Sequence, residues 1–301
     1  MTQKNTATKL DVIVVGAGFA GLYALYRLRK DGYSVRVLEG ADAIGGTWYW
    51  NRYPGARCDV ESMQYSFSFS EEIQQEWRWS QLYAPQPEIL SYINFVADKL
   101  KLRDGIQLNA RVVSAEFDEE TATWEVRTEA GETFIAPFCV MATGCLSIPI
   151  IPSFPGLEDF SGEVYRTSDW PHAGVDMSGK RVGLIGTGSS GIQATPVIAA
   201  QARHLTVFQR TPNYSIPAQN RPMDAEYERG WKDNYRERRI AALKTRNNTL
   251  NNAGNRPGRD VAPEERAREF EARWSTGGIG FMYSFTDLTT DKDVNEQASA
   301  F

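Results

Sequence analysis

The chain has 301 residues, 42% hydrophobic and 24% charged, with a formal net charge of −5. That apolar content supports a buried core and excludes general disorder, while the acidic balance argues against nucleic acid or an anionic membrane as a partner. The three cysteines (Cys58, Cys139, Cys145) form no CxxC pair, only two histidines occur, and H-E-x-x-H and G-x-S-x-G are both absent. No metal site is expected, zinc and serine hydrolysis lack support, and a reduced cytoplasmic setting is the simplest expectation.

In chain order, residues 10–15 read as a doubly buried parallel strand, Leu22, Leu25, Tyr26 and Leu28 recur at helical spacing, and residues 34–38 form a second strand closed by Glu39. Lys4 and Lys9 ahead of the apolar run 12–26 imitate a secretion signal. Asp11 interrupts the approach, however, and the run falls short of the roughly 20 apolar residues of a membrane span. Residues 45–59 read as an irregular loop and 88–100 as a helix. Residues 111–117, 124–128 and 133–137 read as a meander turning at Ala130-Gly131, and 138–142 as another buried-type strand. A Pro-rich stretch at 147–156 reads as a linker. A second strand–glycine turn–helix unit starts at Lys180 and leads to a strand at 205–209. Helices are expected at 224–246, at 263–274 and from Asp291 to the end, the last with Val294, Ala298 and Phe301 on one side.

Two motifs carry chemistry. Gly16-Ala17-Gly18-Phe19-Ala20-Gly21 follows a strand and opens a helix, the context that turns a weak G-x-G-x-x-G into a dinucleotide-binding fingerprint. The helix N-terminus can take a pyrophosphate, and Glu39 can accept hydrogen bonds from a ribose. The alternative is a glycine-rich turn with no ligand. Gly186-Thr187-Gly188-Ser189-Ser190-Gly191 repeats the arrangement, but its following strand ends in Gln209-Arg210-Thr211 with no acid. A carboxylate there would repel a 2′-phosphate and a guanidinium can grip it, so this cradle prefers NADP(H). Arg210 as a solvated strand-end residue is the competing reading. Two such sites in one chain imply a hydride relay from NADPH to a flavin.

The stretch from Gly45 to Asp59, GGTWYWNRYPGARCD, resembles the long N-terminal signature of Baeyer–Villiger monooxygenases, and residues 160–171, FSGEVYRTSDWP, resemble the family's second fingerprint. The resemblance covers nearly the whole chain and is strongest to phenylacetone and steroid ketone monooxygenases. It implies an α/β fold with two Rossmann-like domains, FAD then NADP, and a helical insertion. The domains are expected at 1–146 (FAD), 147–179 (linker with fingerprint) and 180–301 (NADP), with helices over 222–301.

The resemblance also implies site residues. FAD would be held by Gly16, Gly18, Phe19, Ala20, Gly21 and Glu39, with Gly46, Thr47, Trp48, Trp50, Asp59 and Tyr65 toward the flavin and Val112 near the adenine. Arg57 and Asp59 would approach the nicotinamide and serve catalysis, Asp59 orienting a cation. Thr187, Gly188, Ser189, Ser190 and Gly191 would hold the NADP pyrophosphate, and Arg210 and Thr211 the 2′-phosphate. The implied reaction uses NADPH and O2 to convert a small ketone to an ester or lactone. Phe160, Gly162, Trp170 and Pro171 match the fingerprint, but its usual histidine is Arg166 here. Arginine cannot change charge near pH 7, so either coupling is altered or the change is a tolerated surface substitution.

Family members are longer, and their active-site arginine lies beyond the point matching Phe301, so a C-terminally incomplete chain is expected. An N- or S-oxygenating flavin enzyme and a non-catalytic FAD-binding fragment stay open as alternatives. A disulfide reductase is disfavoured because Cys58 has no near partner. Trp77, Trp79, Trp124, Trp231 and Trp274 read as packing residues. Arg236, Arg238 and Arg239 read as a solvated helix face, since Glu226, Glu228 and Glu237 interleave them.

Overall fold

The computed structural model of the chain describes residues 7–245 and 247–301; Lys4 and the expected helix end at Arg246 lie outside them. In chain order the elements are β1 (Thr8–Lys9), β2 (Val12–Val15), α1 (Phe19–Lys30), β3 (Val35–Leu38), α2 (Thr47–Trp50), α3 (Glu71–Glu76) and α4 (Gln86–Lys99). Strands β4 (Ile106–Gln107), β5 (Val112–Asp118), β6 (Thr123–Thr128), β7 (Thr133–Ala136), β8 (Phe138–Met141) and β9 (Arg181–Ile185) follow. The chain continues through α5 (Ser189–Gln201), β10 (His204–Phe208), α6 (Ala225–Lys232), α7 (Tyr235–Ala242), α8 (Pro263–Thr276) and α9 (Lys292–Ala300). No helix of the described residues is long and apolar enough to cross a membrane.

The chain forms two units, Met1–Pro54 with Gln86–Asp176 and Gly55–Pro85 with Met177–Phe301. The contiguous division expected at 146 and 180 differs from this in two ways: Gly55–Pro85 joins the second unit, and residues 147–176 of the expected linker join the first. The Gly55–Pro85 excursion closes on itself: the Cys58 N–H donates to the Ala84 carbonyl at 3.2 Å, and Arg57 and Pro85 form a bridge.

The first unit is built on an all-parallel sheet of order β4-β3-β2-β8. Ile13, Val14, Val37 and Leu38 are at most 1% exposed. Both faces of β2 are covered, hence its continuous apolar run Val12–Val15; in β3 Arg36 interrupts the run and is half-buried. Leu22 and Leu25 of α1 are buried on one side. On the other, Ile13 and Leu38 pack with Ala110, just before β5, and with Val126, Phe134 and Ala136 of the meander β7-β6-β5 that β1 extends in parallel. The expected buried-type strand over 138–142 forms as β8, but at the sheet edge, and Phe138 is 62% exposed. Its apolar pattern was correct and its burial was not, because periodicity carries no information about edge position.

In the second unit β9 and β10 pair in parallel across α5. The expected single helix over 224–246 is two: α6 ends at Lys232 and α7 starts at Tyr235, broken at Asp233 and Asn234. These helices hold the Glu61–Ser66 turn. The Tyr227 hydroxyl donates to Glu61. The Arg239 guanidinium donates to the carbonyls of Gln64 (2.6 Å), Met63 (3.0 Å) and Ser66 (3.1 Å), while Arg238 sits 4.9 Å over the buried ring of Trp231. The solvated arginine face is therefore corrected for these two residues: interleaved acids report charge balance, not which guanidinium meets a folded-back loop. Arg239→Ala should lower stability to urea by about 2–3 kcal/mol, since it strands several partly buried carbonyls; Arg239→Lys should recover part of the loss. A separate apolar cluster joins Val261, Phe270, Phe281, Phe285, Leu288 and Val294, and Phe301 lies 6.0 Å from the Phe270 ring.

Candidate functional site

The first glycine turn sits between β2 and α1. A Cβ on Gly21 would stand 1.8 Å from the Gly16 carbonyl oxygen, so only glycine lets α1 start this close to the strand. No side chain caps α1 and no acid lies in its first turn, which leaves the positive end of the helix to an anionic ligand. Phe19 opens α1 and its ring lies tilted 6.3 Å from that of Tyr92; Ala20 follows it at the surface.

Glu39 is 5% exposed. Its Oε2 accepts from the Ala17 N–H at 2.6 Å and its Oε1 from the Ala41 N–H at 2.9 Å. The carboxylate thus first ties the end of β3 to the glycine turn. Each oxygen keeps a second lone pair with which to meet a ribose hydroxyl. Sequence reasoning found this residue but not its backbone role.

The signature stretch begins against that turn. The Gly45 N–H donates to the Ala17 carbonyl at 3.0 Å, and a Cβ on Gly46 would lie 2.8 Å from the Gly18 Cα. The expected irregular loop contains a helical turn, α2, which carries Thr47, Trp48 and Trp50. Trp48 is buried and its carbonyl accepts from the Gln86 amide. Tyr49 donates its hydroxyl to Asp42, and burial together with that carboxylate pushes its phenol up to about 12. The Tyr49 ring also meets the Arg52 guanidinium at 4.9 Å and the His172 ring, edge on, at 5.2 Å. Val112 stands at the start of β5.

The end of the fingerprint is thereby docked on the signature helix, within the first unit. Trp170 is buried against Tyr165 at 5.7 Å, with Pro171 between it and His172. Phe160 is exposed and folds over Gly162. Arg166 closes the local turn, its Nη2 donating to the Asp169 Oδ2 at 3.0 Å while its carbonyl accepts from the Asp169 N–H at 3.1 Å. This pair is solvent-accessible, so Arg166→His should change thermal stability by less than about 1 kcal/mol, read by calorimetry.

The second glycine turn lies in the second unit. A Cβ on Gly191 would reach 2.4 Å from the Gly186 carbonyl oxygen, whereas one on Gly188 would meet nothing within 4 Å. The mouth of the turn is open. Helix α5, starting at Ser189 and Ser190, has neither a side-chain cap nor an acid in its first turn. Gln209 Nε2 donates to the Thr187 hydroxyl at 2.9 Å and Asn213 Nδ2 to the Thr187 carbonyl at 2.8 Å, which places the Arg210-Thr211 strand end beside the turn. Arg210 and Thr211 are exposed. Asn213 was missed by sequence reasoning; no motif marks it.

Arg57 and Asp59 belong to this second unit, as does Tyr65, while Thr47, Trp48 and Trp50 belong to the first. The residues expected along one flavin are thus divided between the units. Asp59 keeps contact with solvent, yet partial desolvation raises its carboxyl above the ordinary value against the lowering effect of a Gln193 hydrogen bond. Cys58 is buried, and burial pushes its thiol up to about 12. Among the described residues no group of His, Cys, Asp and Glu could hold a metal ion.

Two successive strand–glycine turn–helix units, one ending in a buried glutamate and one in an exposed arginine, define an α/β chain with two turns of the dinucleotide-binding type. The chain belongs to the pyridine nucleotide-disulphide oxidoreductase family, whose model matches residues 13–251. The disulphide part of that name finds no redox pair, since all three cysteines are free.

The chain is 42% identical to a Baeyer-Villiger monooxygenase of Pseudooceanicola batsensis over 99% of its own length and 55% of the relative's. It is 41% identical to a phenazine N-monooxygenase of Lysobacter antibioticus, again over 99% of its length and 55% of the relative's. Among solved structures it matches an oxidized steroid monooxygenase bound to NADP at 51% identity and a TM-score of 0.92, covering 97% of this chain and 56% of that one. The chain spans about half the length of the curated relatives it matches.

Proposed function

We propose that the chain binds FAD at the Gly16–Gly21 turn and NADPH at the Gly186–Gly191 turn, and that it contributes these sites to an NADPH-dependent monooxygenase converting a small ketone to an ester or lactone. The observation that carries this reading is the difference between the two cradles, Glu39 in one and Arg210 in the other. Uncapped helix ends receive the pyrophosphates. Glu39 has lone pairs left for a ribose with free hydroxyls, and Arg210 with Thr211 takes the 2′-phosphate. Bound and reduced, FAD supplies the activation of O2. Asp59 and Arg57 are the chain's own polar groups toward the nicotinamide, and Asp59 orients a cation there. Trp48 and Trp50 exclude water on the flavin side.

The ketone reading rests on the Gly45–Asp59 signature and the relatives that carry Baeyer–Villiger names. A second reading, oxygen transfer to nitrogen, is favoured by the match to the phenazine N-monooxygenase. Small-molecule substrates, O2 and a cytoplasmic setting follow from either. Incubating the chain with FAD, NADPH, O2 and separate panels of ketones and aromatic N-heterocycles tests both. Ester from the ketone panel is the expected result; N-oxide alone would replace the first reading with the second, and no product from either would reject catalysis by this chain.

A further inference from the structure

Helix α5 reaches the Gly55–Asp59 turn through Gln193, which lies two residues past Gly191 of the second glycine turn. Its carboxamide uses both ends: Oε1 accepts from the Arg57 N–H at 3.2 Å, and Nε2 donates to the Arg57 carbonyl at 3.2 Å and to the Asp59 Oδ1 at 2.9 Å. Toward Arg57 the side chain offers a donor and an acceptor side by side, as an adjoining strand would. The main chain of Gln193 touches the same turn. A Cβ on Gly55, whose φ is +81°, would stand 2.3 Å from the Gln193 carbonyl oxygen, so the turn can approach α5 this closely only with glycine there.

We propose that Gln193 is a positioning residue: it fixes the Arg57–Asp59 turn on the helix that carries the second glycine turn, and thereby sets the direction of the Asp59 carboxylate. Packing alone does not account for the geometry, because an apolar side chain of the same volume would fill the space and form none of the three bonds. The titratable neighbours of Asp59 on this side are Cys58, whose thiol meets the Asp59 main-chain N–H, and Tyr83; the side-chain bond to the carboxylate comes from Gln193. The link gives the two parts of the second unit's candidate site a common frame. Its consequence for NADP+ rests on the proposed function; the positioning itself does not.

The test uses the full chain with Gln193→Met, which keeps volume, and Gln193→Glu, which keeps an acceptor but loses the donor. Hydrogen exchange of the Arg57 amide and carbon-13 titration of the Asp59 carboxyl, assigned with Asp59→Asn, are read together with NADP+ affinity. Gln193→Met is expected to lose Arg57 protection and to move the Asp59 midpoint upward, because a donor to the charged form is gone. Gln193→Glu is expected to keep Arg57 protection and move that midpoint further upward, because a like charge now faces it. NADP+ should bind about tenfold more weakly to each, equivalent to about 1.4 kcal/mol. An Asp59 titration and an Arg57 exchange rate unchanged in folded Gln193→Met would overturn the proposal. Should that variant fail to fold, an unmoved Asp59 midpoint in Gln193→Glu would do so. A moved midpoint with unchanged NADP+ affinity would uphold the positioning and count against the nucleotide reading.

Discussion

Replacing Glu39 with alanine is expected to destabilise the chain by about 3–6 kcal/mol and to abolish FAD binding, the energy being that of two hydrogen bonds from buried donors to a charged acceptor at about 1.5–3 kcal/mol each. The side chain is almost fully enclosed, and its two oxygens are what the Ala17 and Ala41 N–H groups have as partners. Alanine leaves both donors stranded between β3 and the glycine turn, so the cradle loses its shape as well as its ribose acceptor. Glutamine keeps one acceptor oxygen and sets an NH2 against a backbone donor, so about half the loss is expected. Urea denaturation followed by tryptophan fluorescence, with flavin absorbance after FAD addition, reads both effects. An alanine variant that unfolds with the parent and stays yellow would remove Glu39 from the account.

The second large effect is on nucleotide choice. Arg210→Ala should weaken NADPH binding about 10–150-fold, the range given by about 1.5–3 kcal/mol for charge-assisted hydrogen bonds, and leave NADH binding nearly unchanged. Lysine should restore only part, since it lacks the planar fork that grips a phosphate. The parent's preference should shrink as salt rises, because Arg210 is exposed. Isothermal titration with both nucleotides checks this. An unchanged ratio in Arg210→Ala would return the residue to the solvated strand-end reading.

What could be read in advance was local. β2–α1–β3 and β9–α5–β10 announce themselves because apolar strands, phased glycines and helical spacing lie adjacent in sequence. The partners of Glu39 could not be read, since they depend on where β3 ends relative to a turn 22 residues earlier. Gln193 gave only a faint signal, one amide on an apolar stretch of α5 whose burial at Ala194 and Ile198 was not yet known. The signature looked irregular because it is rich in Gly, Trp, Arg and Pro; the helical turn that Thr47–Trp50 form is helped by contacts to Gln86 and Asp42. That one motif is shared between two units was invisible as well, because a motif records spacing and not which core each half joins.

The central claim is that one chain carries two separate dinucleotide cradles of opposite electrostatic character. Equilibrium titration of the 301-residue chain, first with FAD and then with NADP+ in the same sample, tests it most directly. The account predicts one equivalent of each, bound simultaneously without competition, with NADP+ held more tightly than NAD+. Displacement of FAD by NADP+, or a single shared equivalent, would contradict it.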